Sequence, residues 1–229
     1  MRVLFVAATE FEVSSLKSEV KSRKSKENND RQDCQLPTDN CQLPTDNCQL
    51  LVTGVGMVAT AYALGRELAT NQYDLAINLG IAGSFDRSIA LSEVVEITDD
   101  TIAELGAEDD EKFLPIAEMG FGKSAFGATK PLEELIDLRL RKCSAVTVNT
   151  VHGNEASIQK LQQRLKIQIE SMEGAAFFYA CSEAKIPCIQ IRSVSNYVEK
   201  RNRHAWQIGP AIKSLNEVAK KLLGVLSAM

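Results

Sequence analysis

Short apolar segments typical of strands alternate with helical segments along most of this 229-residue chain, and that alternation constrains the fold more than any single motif. Residues 2–8 form an almost continuous apolar run, as expected of a strand buried on both faces. Further strands are predicted at residues 50–53, 73–79, 93–97, 145–151 and 187–194. Helices are predicted at about 58–70, 131–141 and 155–164 and along the C-terminal segment, while residues 99–130 read as loop. This order predicts an α/β protein, a three-layer α/β/α sandwich around a mixed, largely parallel central sheet.

A perfect heptapeptide repeat interrupts the alternation. The sequence CQLPTDN occupies residues 34–40, recurs at 41–47 and begins again at 48–50, after a highly charged stretch at 21–33. The proline in each copy excludes a coiled coil despite the period of seven. We therefore expect one domain over residues 1–229, with a polar, solvent-exposed insertion at about 21–49 that carries no chemistry.

Composition excludes several classes of function. The net charge of −4 provides no basic surface for nucleic acid. Three of the six cysteines belong to the repeat, no C-x-x-C pair occurs and only two histidines are present, so we expect neither a metal nor another cofactor. No apolar run approaches the roughly 18 residues that span a bilayer. The first strand has no cleavage pattern after it, so we expect a cytoplasmic protein acting on a small molecule.

Two glutamates follow predicted strands at the ends where parallel sheets build their sites. Glu12 follows the first strand, and Glu173 stands between the segment ending at Ile169 and a helix rich in small residues. An ionised carboxylate in that position can accept hydrogen bonds from a pair of sugar hydroxyls. Both residues also have a simpler interpretation, since acids are favoured in the first turn of a helix or as its cap. The two interpretations remain open at this point.

Glycines and an amide stand at other predicted strand ends. Gly54 and Gly56 follow one strand and Gly80 and Gly83 another, which predicts two stretches of backbone that a ligand can approach closely. Asn196 follows the last strand. A dinucleotide fingerprint fails, and neither a P-loop nor a G-x-S-x-G elbow occurs. The residues predict a small-molecule pocket with two carboxylates and an amide.

Three of these segments carry a family resemblance. The segments NLGIAG at 78–83, SMEG at 171–174 and RSVSN at 192–196 resemble those of the purine nucleoside phosphorylase and nucleosidase superfamily, specifically its methylthioadenosine/S-adenosylhomocysteine nucleosidase branch. The resemblance implies a nucleoside phosphorylase-like fold and a homo-oligomer, a dimer or larger. It also implies that Glu12 activates water and that Met172 and Glu173 hold the ribose. Ala82, Gly83 and Val151 would line the base and sugar pocket.

Two departures from that branch refine the expectation. Asn78 stands where phosphorylases carry an arginine for phosphate, which favours water as the attacking group. Asn196 replaces an aspartate that contacts the base, and an amide can donate to the O6 or N7 acceptors of a 6-oxopurine. This combination resembles the superfamily members that release hypoxanthine from futalosine, a benzoate-bearing nucleoside of menaquinone biosynthesis.

Four alternatives remain beside that expectation: the adenine-specific nucleosidase, another purine nucleoside hydrolase, a phosphorylase and a non-catalytic nucleoside-binding protein. Asn196 argues against the first and Asn78 against the phosphorylase. For the benzoate carboxylate, charge alone nominates Arg201, Arg203 and Lys123.

Overall fold

The computed structural model describes residues 1–14, 16, 40–42, 47–129 and 138–226, the side chains of 40–42 excepted. Its strands are β1 (Val3–Ala7), β2 (Asn40–Gln42), β3 (Cys48–Val52), β4 (Leu75–Ser84), β5 (Val94–Ile102), β6 (Gly106–Asp109), β7 (Lys112–Pro115), β8 (Ala125–Gly127), β9 (Arg141–Thr147), β10 (Ile169–Ser171) and β11 (Cys188–Tyr197). The α-helices are α1 (Met57–Thr70), α2 (Glu155–Arg164), α3 (Gly174–Ala184) and α4 (Ile208–Leu226), with 3-10 turns at Phe11–Val13 and Arg203–Ala205.

The main sheet is mixed and partly closed. Its strand order is β10-β9-β5-β11-β4-β1-β3-β2, with β8 added beside β5, while β6 and β7 form a separate hairpin. Most of the central pairs are parallel, but β5 runs antiparallel to β11. The short strand β10 also pairs antiparallel with the end of β4, so β4, β10, β9, β5 and β11 close into a ring. This closure brings β10 beside the carboxyl ends of β4 and β11.

Two hydrophobic cores lie on opposite faces of the sheet, as the sandwich prediction requires. In β1, Val3, Phe5 and Ala7 pack in one core, which includes the apolar face of α4. Leu4 and Val6 of the same strand pack in the other core, together with α1 and α3. The period of two follows from the alternating direction of side chains along a strand. The three-layer architecture around a mixed sheet is confirmed.

Several predicted boundaries were wrong. The strand expected at 145–151 is Arg141–Thr147, so Val151 lies in the loop that follows it. Residues 99–130, expected as loop, include the end of β5, the β6–β7 hairpin and β8. The helix expected at 131–141 falls mostly outside the described residues; 138–140 are not helical, and Arg141 begins a strand.

The predicted insertion at about 21–49 extends too far, because residues 48 and 49 belong to a strand of the main sheet. Most of residues 21–47 lie outside the described residues, but Cys48 begins β3 and is buried in the core. Backbone pairing places Asn40–Gln42 antiparallel to β3 at the edge of the sheet. The insertion therefore ends before Cys48, and the edge strand β2 is formed by the last residue of the first copy and the first two residues of the second. Among the described residues, no helix combines the length and apolar character needed to cross a bilayer.

Candidate active site

A cavity of about 600 Å³ opens where β1, β4, β10 and β11 end. The residues predicted to carry the chemistry and to hold the base and ribose all line it: Glu12, Ala82, Gly83, Val151, Met172, Glu173 and Asn196. The predicted glycines Gly54, Gly56 and Gly80 do not line it. Three segments thus meet at the cavity: the residues that follow β1, the glycine-containing end of β4 and the junction between β10 and α3. This convergence is expected of the carboxyl ends of strands in an α/β sheet.

Glu12 is held as a buried acceptor. Its Oε2 accepts hydrogen bonds from the backbone N–H of Thr9 (2.9 Å) and from the Thr9 hydroxyl (3.0 Å), and its Oε1 accepts from the backbone N–H of Ile81 (3.0 Å). Burial raises the pKa of Glu12, while the Arg192 guanidinium and these backbone bonds oppose the rise. A carboxylate whose proton affinity is increased in this way is a better general base than an exposed one.

Glu173 does not act as a side-chain cap, although it precedes α3. Its Oε1 accepts a hydrogen bond from the backbone N–H of Gly56 (3.0 Å), which precedes α1. Gly56 has φ +96, a conformation that favours glycine. The other carboxylate oxygen of Glu173, Oε2, lies 3.9 Å from Nη1 of Arg192. Glu173 is 7% exposed, so the cap interpretation is replaced by a carboxylate directed into the cavity region.

Arg192 is a buried cation behind the two glutamates, which the sequence matched only as part of a motif. It is 1% exposed, and its Nε donates to Oε1 of Gln190 (2.9 Å). Gln190 in turn donates to the buried Asp100 (3.2 Å). Within the described part of the chain, Nη2 of Arg192 is buried and finds no hydrogen-bond partner. Arg192 does not itself line the cavity, so its charge acts on the cavity through Glu12 and Glu173.

Asn196 presents a donor toward the cavity. Its Nδ2 donates to the carbonyl of Tyr197 (3.0 Å), and its Oδ1 lies 2.9 Å from the hydroxyl of Ser195. A flipped amide would set two oxygens against each other at Tyr197, so this orientation is fixed by the network. A register shift between Val194 and Asn196 interrupts the pairing of β11 with β4. Such bulges redirect side chains near active sites.

The sequence analysis missed a buried pair on the other side of the cavity. Glu170 accepts a hydrogen bond from the backbone N–H of His152 (3.0 Å), and its second oxygen contacts the Nδ1 of His152. Both residues line the cavity. The available signal was the position of Glu170 in β10, because this short strand ends at the same edge of the sheet as the predicted site.

Of the three cationic residues nominated to bind the benzoate carboxylate, only Arg201 lines the cavity. Arg201 lines the cavity and stacks over the ring of Trp206 at 5.0 Å, and Trp206 also lines it. Arg203 and Lys123 do not line it. Asn78 does not line it either, because it is 2% exposed in the middle of β4. The identity of Asn78 therefore cannot by itself decide between water and phosphate.

Comparison with known proteins identifies the family. The family model described as the Phosphorylase superfamily matches residues 2–229. The chain belongs to this superfamily. A futalosine hydrolase from Streptomyces coelicolor is 34% identical over 159 residues, which are 68% of this chain and 68% of that protein. One from Acidothermus cellulolyticus is 32% identical over 173 residues, which are 72% of this chain and 70% of that protein.

A solved structure supports the fold of this superfamily member over its whole length. It is the methylthioadenosine/S-adenosylhomocysteine nucleosidase from Colwellia psychrerythraea in complex with adenine. It is 22% identical, with a TM-score of 0.76, and the match covers 99% of this chain and 96% of that one. Within the described part of the superfamily chain, no cluster of three or more His, Cys, Asp or Glu side chains is suited to a metal.

Proposed function

We propose that this chain is an N-ribosyl hydrolase that cleaves futalosine to release hypoxanthine, a step of menaquinone biosynthesis. The observation that carries the proposal is the fixed amide of Asn196: one N–H donates to the carbonyl of Tyr197, and the second is left to donate to a ligand in the cavity that Glu12 and Glu173 also line. A 6-oxopurine presents acceptors at O6 and N7, whereas a carboxylate in the same place would repel O6. The two futalosine hydrolase relatives support the same substrate.

The proposed chemistry is displacement at C1′ through an oxocarbenium-like transition state. Glu12 takes a proton from the attacking water, whose oxygen forms a bond to C1′ as the bond to N9 breaks. The electron pair of that bond leaves with the purine. Glu173 accepts hydrogen bonds from the ribose hydroxyls and places negative charge near the developing cation. Asn196 stabilises the departing base by hydrogen bonding, and the proton that the base needs arrives through water, because an amide is not an acid.

The charge of the cavity supports water as the attacking group. Its described lining includes four glutamates, Glu12, Glu170, Glu173 and Glu199, and a single arginine, Arg201. A phosphate dianion would approach several carboxylates inside a partly desolvated space, which is unfavourable.

Arg201 is the proposed partner of the benzoate carboxylate. Arginine pairs with carboxylates through two parallel N–H donors, and its stacking on Trp206 restricts where those donors point. Both residues line the same cavity as Glu12, so one substrate can reach them and the chemistry together.

A homo-oligomer is also proposed. Phe11 and Val55 line the cavity and are 77% and 58% exposed, and Val58 and Tyr62 of α1 are 81% and 63% exposed. Val58 and Tyr62 are four residues apart and therefore lie on one face of the helix. Large exposed apolar side chains, two of them at the cavity and two on the helix that follows Val55 in the chain, are typical of a surface that another protein covers.

The test is a substrate panel analysed for both products. Futalosine, inosine and methylthioadenosine are incubated with the protein, with and without phosphate, in water enriched in oxygen-18. We expect hypoxanthine from futalosine at the highest kcat/KM, label in the free sugar and no sugar 1-phosphate. Faster release of adenine from methylthioadenosine would instead favour the adenine-specific nucleosidase. A phosphate-dependent rate with sugar 1-phosphate as product would favour a phosphorylase.

A further inference from the structure

The proposed chemistry leaves one buried pair in the cavity unused, Glu170 and His152. The Glu170 side chain is 3% exposed and that of His152 16%, and both line the cavity. The backbone N–H and the Nδ1 of His152 contact different oxygens of the carboxylate. An ionised carboxylate has about four lone-pair positions, so two contacts leave it able to accept a further hydrogen bond.

The sheet register places Glu170 opposite Asn196. Glu170 in β10 pairs with Gly83 in β4, and Gly83 pairs on its other side with Asn196 in β11. Directly paired residues project to the same face of a sheet. Although β11 shifts register between Val194 and Asn196, a Cβ added to Gly83 would lie 3.3 Å from Nδ2 of Asn196, so the amide lies on that face as well. Adjacent strands are about 4.8 Å apart. The α-carbons of Glu170 and Asn196 are therefore roughly 10 Å apart, with a residue that lacks a side chain between them.

Gly83, which lacks a side chain, allows Asn196 and Val198 to pack closely against its backbone. A Cβ added to Gly83 would lie 3.3 Å from Nδ2 of Asn196 and 2.8 Å from Val198. Gly83 itself lines the cavity. The backbone of Gly83 therefore lines the cavity between a residue with an amide donor on one side and a residue with a carboxylate acceptor on the other.

This donor–acceptor order matches one kind of purine. A 6-oxopurine has acceptors at O6 and N7 and a donor at N1–H, whereas a 6-aminopurine has a donor at C6 and a lone pair at N1. We propose that Glu170, oriented by His152, is a specificity-determining residue that accepts the N1–H of a 6-oxopurine while Asn196 donates to O6 or N7. The proposal rests on the proposed function and adds a second contact that selects the base.

The same pair explains how adenine is rejected. With adenine, the N1 lone pair would face the carboxylate, and both groups would lose hydrogen bonds to water without replacement. Burial raises the pKa of Glu170, and the hydrogen bonds and charge of His152 oppose that rise. The nearby Glu104 acts in the same direction as burial. Burial outweighs these contacts, so the pKa of Glu170 is raised overall, and His152 limits that rise while it orients the carboxylate.

Base binding measured by calorimetry tests the proposal without requiring turnover. Hypoxanthine and adenine are titrated into the wild-type protein, Glu170→Gln and the control Glu104→Gln. Glu104 accepts hydrogen bonds from the backbone and side chain of Asn149 and does not line the cavity. We expect Glu170→Gln to lose about ten- to hundredfold in hypoxanthine affinity and little in adenine affinity, the usual range for a bond to a charged group. Glu104→Gln should keep the wild-type preference.

The outcomes separate this inference from the proposed function. If the wild type prefers hypoxanthine and Glu170→Gln keeps that preference, or if Glu170→Gln weakens both bases equally, the role of Glu170 is refuted and the proposed substrate stands. If the wild type binds both bases equally or prefers adenine, the proposed substrate itself is refuted.

A second pair of variants covers the case in which Glu170→Gln does not fold. His152→Asn retains a side-chain N–H near the position of Nδ1, so the preference for hypoxanthine should persist. His152→Ala removes it, and the preference should fall. Equal preferences in these two variants would contradict an orienting role for the imidazole.

Discussion

Gly80→Ala tests whether the position of Arg192 is necessary for catalysis. A Cβ at Gly80 would lie 1.8 Å from Nη1 of Arg192, 3.0 Å from its Cζ and 3.2 Å from Oε1 of Glu12. Ordinary contacts of a Cβ begin at 3.4 Å, so the guanidinium must move by at least about 1.5 Å. Arg192 is almost fully buried, and its Nε is fixed by Gln190, so little free space can absorb the displacement.

The expected loss is larger in activity than in stability. Overpacking of a filled interior costs about 1–3 kcal/mol of unfolding free energy. Displacement of a catalytic constellation by about 1 Å can reduce the rate by about 10²-fold. Gly80→Ala should therefore fold, with its midpoint of urea unfolding lowered, while kcat/KM for hypoxanthine release falls by about 10²-fold.

A matched glycine in the same protein provides the control. Gly65 lies in α1, and a Cβ there would meet no heavy atom within 4 Å. Gly65→Ala should raise the unfolding free energy by up to about 1 kcal/mol, because alanine has the higher helix propensity, and should not change kcat/KM. Wild-type kcat/KM in Gly80→Ala would refute the claim that the Arg192 position supports catalysis.

Four further predictions follow from the site and the sheet. Glu12→Gln and Glu173→Gln should each fold normally, as judged by circular dichroism, and lose at least about 10²-fold in kcat; near-wild-type turnover would remove that residue from the mechanism. Asn196→Asp should lower hypoxanthine release by about tenfold or more, because a carboxylate would face both O6 and a backbone carbonyl; this is measured as kcat/KM on matched 6-oxo and 6-amino nucleosides, and an unchanged ratio would contradict it. Burial raises the pKa of Asp100 from 3.8 to about 7, so the native state binds this proton more tightly than the unfolded chain does. The unfolding free energy should fall by at most about 4 kcal/mol as the pH rises from about 4 to 7, and Asp100→Asn should remove that part of the slope in urea titrations. Deletion of residues 34–47 should leave kcat unchanged while lowering stability through loss of the edge strand; a folded but inactive deletion variant would show that the repeat has a role in the site.

Much of the fold could be predicted because the apolar pattern and the elements agree. Helix α2 was predicted with its observed bounds, and Asn154 caps it with hydrogen bonds to two backbone N–H groups. The hairpin formed by β6 and β7 was missed because Gly106–Asp109 is acidic and mostly exposed, so it lacks the alternation that identifies a half-buried strand. The end of β9 was misplaced because Val148 continues an apolar run, although its N–H already bonds to Ser171 outside the ladder.

The predicted site residues share one property, which is that each lies at, or shortly after, the carboxyl end of a strand. That rule finds Glu12 and Glu173, because the chain direction alone brings strand ends to one edge. It also brings His152 to this edge, at the end of the strand predicted at 145–151. It does not reveal that His152 pairs with Glu170, because that contact joins a loop after β9 to β10 and depends on tertiary structure.

The surroundings of Arg192 could be predicted only in part from the sequence, because some of its contacts are local and others join strands far apart in the chain. Gln190 and Arg192 alternate along β11, so they project to one face of an otherwise apolar strand, and the sequence could have indicated a buried polar line there. What it could not indicate is that Asp100, from β5, completes the line at one end and Glu173 at the other. Those contacts depend on the register between strands distant in the chain. A buried guanidinium with one unpaired nitrogen is expensive for folding, and apolar residues would fill the same space with less cost. Its place beside Glu12 and Glu173 is therefore better explained by positioning these two cavity carboxylates than by stability.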